Sequence, residues 1–114
     1  MKRRIRFVLT CLATLGLSSE ATAQRAPDGK VLYLAKCSTC HGRAGKAAPL
    51  YAKKGAVDLN DPDWQKERSD AYIKETLAKG SPGTAMRSFK DELNAEQIDA
   101  VVKFVRTLNT ALAK

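Results

Sequence analysis

The run Cys37-Ser38-Thr39-Cys40-His41 concentrates the chemistry of this 114-residue chain. Two thiols three apart, followed at once by an imidazole, suit three kinds of site: a redox dithiol, part of a zinc site, or the covalent anchor of a c-type haem. Each needs different surroundings. A dithiol of the thioredoxin kind would use Cys37 as thiolate and Cys40 to resolve, beside a βαβ pattern, and no alternating strand pattern occurs here. Structural zinc needs four nitrogen or sulfur ligands. Once the N-terminal leader is set aside, Cys37, Cys40 and His41 are the only cysteines and histidine, and the adjacent Cys40 and His41 are awkwardly placed to hold one tetrahedral ion. The haem reading uses every residue of the motif. Its thiols add across neighbouring vinyl groups from one turn of helix, and the next residue comes up beneath the ring centre.

Iron held by one histidine has a further axial position, and what fills it separates electron transfer from ligand or oxygen chemistry. The chain has no second histidine, and Met1 belongs to the leader, so Met86 in "GTAMRSF" is the remaining soft donor. Its bland alternative is a lone apolar loop residue. A thioether at Met86 and an imidazole at His41 are the expected pair of iron ligands.

The leader "MKRRIRFVLTCLATLGLSSEATAQ" has the three zones of a secretory signal. Lys2, Arg3, Arg4 and Arg6 form a basic start, Phe7 to Leu17 a short apolar run, and Ala21-Thr22-Ala23 a small-residue cleavage site. A membrane anchor wants roughly 20 apolar residues, and this run is shorter. The expected organisation is a signal peptide over 1–23, cleaved after Ala23, and one domain over 24–114 in a bacterial periplasm, with no membrane span after cleavage. Cys11 leaves with the signal. Two remaining cysteines in a C-x-x-C spacing exclude a disulfide framework. A domain of roughly 90 residues buries a marginal core unaided, and one covalently attached haem c would supply its centre.

The chain carries a formal charge of +8, and the leader's four basic residues against Glu20 account for three of those charges, leaving about +5. Nucleic acid is a poor fit for an exported domain whose lysines are scattered along the chain. A solvated surface or a docking field for an acidic redox protein fits better.

Three helices must position these groups. "PDGKVLYLAKC" starts on Asp28 and delivers the cysteine motif at its end. "SDAYIKETLAKG" has Ser69 as N-cap, Ile73 and Leu77 on one face, and Gly80 as its stop. The third opens on Asn94 and Gln97 as a capping box, with Ile98, Val101, Val102, Val105, Leu108 and Leu112 at helical spacing on a face that must be buried. Between them lie long Gly-, Pro- and Asp-rich segments, as expected of chain wrapped around a large flat ligand. The fold class is therefore all-α.

Together the early C-S-T-C-H, the downstream Met86 and the C-terminal amphipathic helix resemble class I cytochromes c over essentially the whole of 24–114. Gly29 and Tyr33 are similar to that family's glycine and aromatic pair on the first helix, and "DLNDPDWQKERSDAYIKETLAKGSPGTAMRSF" resembles the bacterial group that includes oxidase cytochrome c subunits. The resemblance implies a small cytochrome c fold in which Gly29 lets the first and last helices cross closely against Phe104. It also implies that the carbonyl of Pro49 accepts a hydrogen bond from the ligating histidine, and it leaves Tyr51 and Trp64 between haem contacts and satellite core. The family commonly has proline after the methionine ligand, where this chain has Arg87. The implied activity is single-electron transfer between redox proteins by a monomer or by a subunit of a larger dehydrogenase or oxidase, with no substrate transformed. A haem enzyme or gas sensor with a labile sixth ligand is the competing class.

Overall fold

In the computed structural model, which describes Gly16 and residues 26–112, the Asp28 carboxylate accepts from the amides of Lys30 and Val31 at 3.0 and 3.3 Å. Those amides lack partners within the helix, so the cap starts α1 (Gly29–Lys36) where the sequence places it. The signal region, its cleavage point and Cys11 lie outside the described residues. Cys37 closes α1 by donating its amide to the Tyr33 carbonyl at 2.8 Å, and a four-residue turn, α2 (Ser38–His41), follows directly.

Two short helices stand in the segment expected to be irregular. Pro49 opens α3 (Pro49–Ala52) and Pro62 opens α4 (Pro62–Glu67), each at a first-turn position that has no need of the missing proline amide. Asp61 caps α4 by accepting from Asp63 and Trp64. Then α5 (Asp70–Lys79) begins on the Ser69 hydroxyl, which accepts from the Tyr72 amide at 3.1 Å, and stops at Gly80. The last long helix, α6 (Ala95–Thr107), has the full capping box: Gln97 donates to the Asn94 side chain and Asn94 donates back to Gln97, both at 2.9 Å. All regular structure among the described residues is helical, with no strand.

The core sits where α1 crosses α6. A Cβ built on Gly29 falls inside contact distance of the Ala100 carbonyl oxygen, 2.6 Å from its carbon and 3.3 Å from Phe104 Cβ. Only a residue without a side chain allows this approach. One turn on, Tyr33 is fully buried with its ring 5.0 Å from that of Phe104 at a tilt of 53°. Val101, Val102 and Val105 of α6, Ile73 and Leu77 of α5, and Phe89 and Leu93 of the connecting turn complete the cluster.

The apolar reading of α6 runs too far in one place. The helix ends at Thr107 with Leu108 as C-cap, and Leu112, in a 3₁₀ turn (Thr110–Leu112), is 73% exposed. Because α6 ends before Leu112, the 3.6-residue period no longer carries that side chain onto the buried stripe. Val31 also faces out, at 60% exposed, while Tyr33 takes the deepest place on α1.

One interaction node joins α4 and α5 to α6. Gln65, a polar residue buried in the core, donates its amide to the carbonyls of Leu59 (2.6 Å) and Val105 (2.9 Å). Arg106 then donates to the Gln65 carbonyl and side-chain oxygen, to the Arg68 carbonyl, and to the Asp70 carboxylate at 2.7 Å. A buried amide is tolerated because every polar atom has a partner.

Candidate functional site

The segments between helices wall one mostly apolar cavity that opens to solvent on one side. Cys37, Cys40, His41 and Met86, read from two distant stretches of sequence, all line it. So do Tyr33, Leu59, Ile73, Leu77 and Phe89 from the core, and Tyr51 and Trp64 from the loops.

The imidazole is oriented by a backbone carbonyl of the cavity wall. Its Nδ1 lies 3.0 Å from the carbonyl oxygen of Val57, and since a carbonyl only accepts, Nδ1 carries the proton and Nε2 keeps a free lone pair. Burial lowers the pKa of His41 from its ordinary value, outweighing the Val57 carbonyl and the Asp58 charge, which act the other way. The ring is neutral at neutral pH, as a metal ligand must be. Asp58 in turn holds Val57 in place. Its carboxylate accepts from the Ala47 amide at 2.8 Å and from Lys46 Nζ at 3.1 Å, while Leu59 donates to the Gly45 carbonyl at 2.7 Å.

Pro49 does not take the role implied for it. It does not line the cavity, and as the first residue of α3 its carbonyl receives the Lys53 amide at 3.4 Å. Val57, outside any helix, places its carbonyl at His41 instead.

On the thiol side, Tyr33 donates its hydroxyl to the Gly42 carbonyl at 2.6 Å, fixing the end of α2 against α1. Cys37 and Cys40 carry free thiols. Burial, with a lesser push from Cys40, raises the Cys37 thiol to about 11 against the pull of Lys36 and Arg87. It is protonated at neutral pH and a poor nucleophile in the closed fold, which argues against a redox dithiol. Among the described residues no three His, Cys, Asp or Glu side chains gather as a metal-ion site, so zinc finds no further ligand.

Met86 is carried on a loop tied down from several sides. Gly80 has φ +75°, and a Cβ there would meet the Met86 carbonyl oxygen and the Ser88 amide, both at 2.9 Å. Only glycine turns the chain this way so close to its own return. Ser81 donates to the Met86 carbonyl at 3.0 Å, Ala85 to the Lys54 carbonyl at 3.1 Å, and the Ser88 hydroxyl to the Ala78 carbonyl at 2.5 Å. The Thr84 hydroxyl accepts from the Met86 amide at 3.1 Å.

This donor set fits a haem c. Two free thiols, a neutral imidazole with Nε2 available and a thioether share one mostly apolar cavity, which is the donor set a haem c takes. Several contributors carry no signal that sequence reasoning could use: Val57 acts through its backbone, and Gln65 and Asp58 look like ordinary surface residues until their partners arrive from far along the chain.

Comparison with known proteins gives the family. The family described as cytochrome C oxidase, cbb3-type, subunit III matches residues 24–105. The cbb3-type cytochrome c oxidase subunit FixP of Azorhizobium caulinodans is 33% identical over 92 residues, which is 74% of this chain and 29% of that relative. Subunit CcoP of Azospirillum sp. is 31% identical over 93 residues, covering 71% of this chain and 30% of that relative. The chain thus spans under a third of the curated relatives it matches. The solved structure of the KustC0563 c-type cytochrome superposes with a TM-score of 0.68 at 39% identity, over 72% of this chain and 98% of that one. The fold, the shared cavity and these relatives place the chain in the cbb3-type subunit III family of class I c-type cytochromes, whose cofactor is covalently attached haem c.

Proposed function

We propose that the domain passes single electrons between redox proteins, with haem joined to Cys37 and Cys40 through thioethers and its iron held by His41 and Met86. The observation that carries this reading is the convergence of those four side chains on one apolar cavity. When bound, the haem supplies a ferric/ferrous couple whose potential a thioether ligand and apolar surroundings raise.

The protein's own part is to hold the ligands still. The Val57 carbonyl fixes the tautomer and plane of His41 and adds to its basicity. The bonds that restrain residues 81–88 keep Met86 in reach in both oxidation states, so that little rearranges when the charge changes. Apolar side chains at the cavity wall keep water away from the metal. Lys54 over Tyr51 (5.5 Å), Arg68 over Tyr72 (4.9 Å) and Lys36 bring positive charge to residues that line the cavity, which suits approach by an acidic partner.

The relatives are oxidase subunits by name, and this supports a second setting, in which the domain serves as an electron-entry part of a cbb3-type oxidase in the periplasm. Among the described residues no helix is long and apolar enough to cross a membrane. Co-purification with an oxidase separates that setting from a diffusing carrier.

A redox titration of the purified holoprotein, followed by its visible spectrum, tests the core of the proposal. A weak band toward the red, from ferric iron with a thioether ligand, is expected in the wild type and lost in Met86→Ala. A wild-type spectrum without that band, with ready carbon monoxide binding, would overturn closed-site electron transfer.

A further inference from the structure

Ion pairs at the surface usually contribute little, but one carboxylate here stands between the two stretches that furnish the site. Glu92, in the turn before α6, pairs through Oε2 with the Arg87 guanidinium and through Oε1 with Lys36 Nζ at 3.6 Å. Arg87 directly follows Met86, and Lys36 directly precedes Cys37. Both basic side chains line the cavity. A single acidic group therefore bridges the segment carrying the candidate thioether ligand and the segment carrying a candidate haem attachment.

The pairing is better organised than a chance surface contact. The Arg87 guanidinium lies 4.5 Å over the ring of Phe89, which is itself 4% exposed in the core. Stacking of this kind holds the fork in place, so less freedom is lost when it meets the carboxylate. Glu92 is anchored through its backbone, with its amide donated to the Phe89 carbonyl at 2.9 Å, and the Leu93 amide shares that acceptor at the same distance. The side chains of Glu92 and Lys36 are 34% and 30% exposed and that of Arg87 61%, so the Lys36 pair is the more shielded of the two. On the opposite side, the Met86 loop is restrained by backbone bonds to Lys54 and Ser81. On the Arg87 side the loop is bonded to α5, through the Ser88 hydroxyl to Ala78 and the Phe89 amide to Leu77, and the Glu92 pairs are what tie it to the end of α1.

We propose that Glu92 is a positioning residue for Met86: through Arg87 and Lys36 it latches residues 81–88 to the end of α1 and slows departure of the sulfur from the iron. This rests on the reading of Met86 as an axial ligand. The two ideas fail differently, because loss of the latch leaves the resting ligand in place and changes how fast it yields.

The experiment mixes ferric holoprotein with excess imidazole and follows the decay of the red band. Glu92→Gln and Arg87→Gln should each speed capture roughly two- to five-fold, as expected for loss of a small ion-pair network. Added salt should speed the wild type and leave Glu92→Gln nearly unchanged, since only the wild type has a charged latch to screen. Amide exchange at Ala85 should rise in the same variants. Equal capture rates in wild type and Glu92→Gln, with the same salt response, overturn the latch while the ligand reading stands. A wild type without the red band overturns both.

Discussion

Replacing Gly29 by alanine tests the helix crossing on which the cavity depends. The new methyl would sit 2.6 Å from the Ala100 carbonyl carbon, whereas carbons rest at about 3.5–4.0 Å. The obstacle is backbone, which has no rotamer to change, so α1 and α6 must part by about 1 Å. Tyr33, Phe104 and Val101 then lose part of their contact. Overpacking of this kind costs about 1–3 kcal/mol. Gly29 has no positive φ, so alanine brings no backbone strain, and its helix propensity returns at most about 1 kcal/mol. With that return complete, the net loss is about 0–2 kcal/mol. Urea unfolding of the holoprotein, followed by circular dichroism, reads this directly: with a slope of about 1–3 kcal/mol per molar, the midpoint falls by up to about 1 M. Val31→Ala, on the exposed side of the same helix, should change stability by less than about 0.5 kcal/mol. A Gly29→Ala midpoint above the wild type, with unchanged slope, refutes the close crossing.

Three further outcomes are expected. Gln65→Ala strands the carbonyls of Leu59 and Val105 and one donor of Arg106; denaturation should show a loss of about 2–3 kcal/mol. Tyr33→Phe keeps the ring and removes the bond to the Gly42 carbonyl, with an expected loss of about 1–2 kcal/mol in the same assay. The Ala47 amide, then Lys46, holds the Asp58 carboxyl below its ordinary 3.8. Its contribution is therefore fully present above that value and disappears as pH falls through the folded-state value below it. Unfolding midpoints of wild type and Asp58→Asn should converge on acidification, and a gap independent of pH would contradict the role given to Asp58.

What the sequence makes legible here is local or periodic. The caps at Asp28, Ser69 and Asn94 and the stop at Gly80 each lie within three residues of the groups they serve, and each is found in the structure. The buried face of α6 follows from its spacing up to Leu108. Gly29 was readable only through a resemblance, because the atoms that demand a glycine belong to Ala100 and Phe104. The short helices α3 and α4 were missed although Pro49 and Pro62 mark their starts, since four to six residues carry too little periodicity to show a face. The Val57 carbonyl was out of reach for a different reason: every residue has one, and only the fold decides which of them meets His41.

The pairing of an early helix with the last one has an effect on the order of events during biogenesis. Residues 29–36 find their main partner in 95–107, so the interior stays open until nearly the whole of this stretch has emerged, as with any topology dominated by contacts remote in sequence. Once it closes, Cys37 is buried, and its thiol, pushed up by that burial, is too weakly acidic to react readily. If haem joins that sulfur as proposed, the joining precedes closure of the α1–α6 crossing, and the finished fold then shields the new bond from solvent.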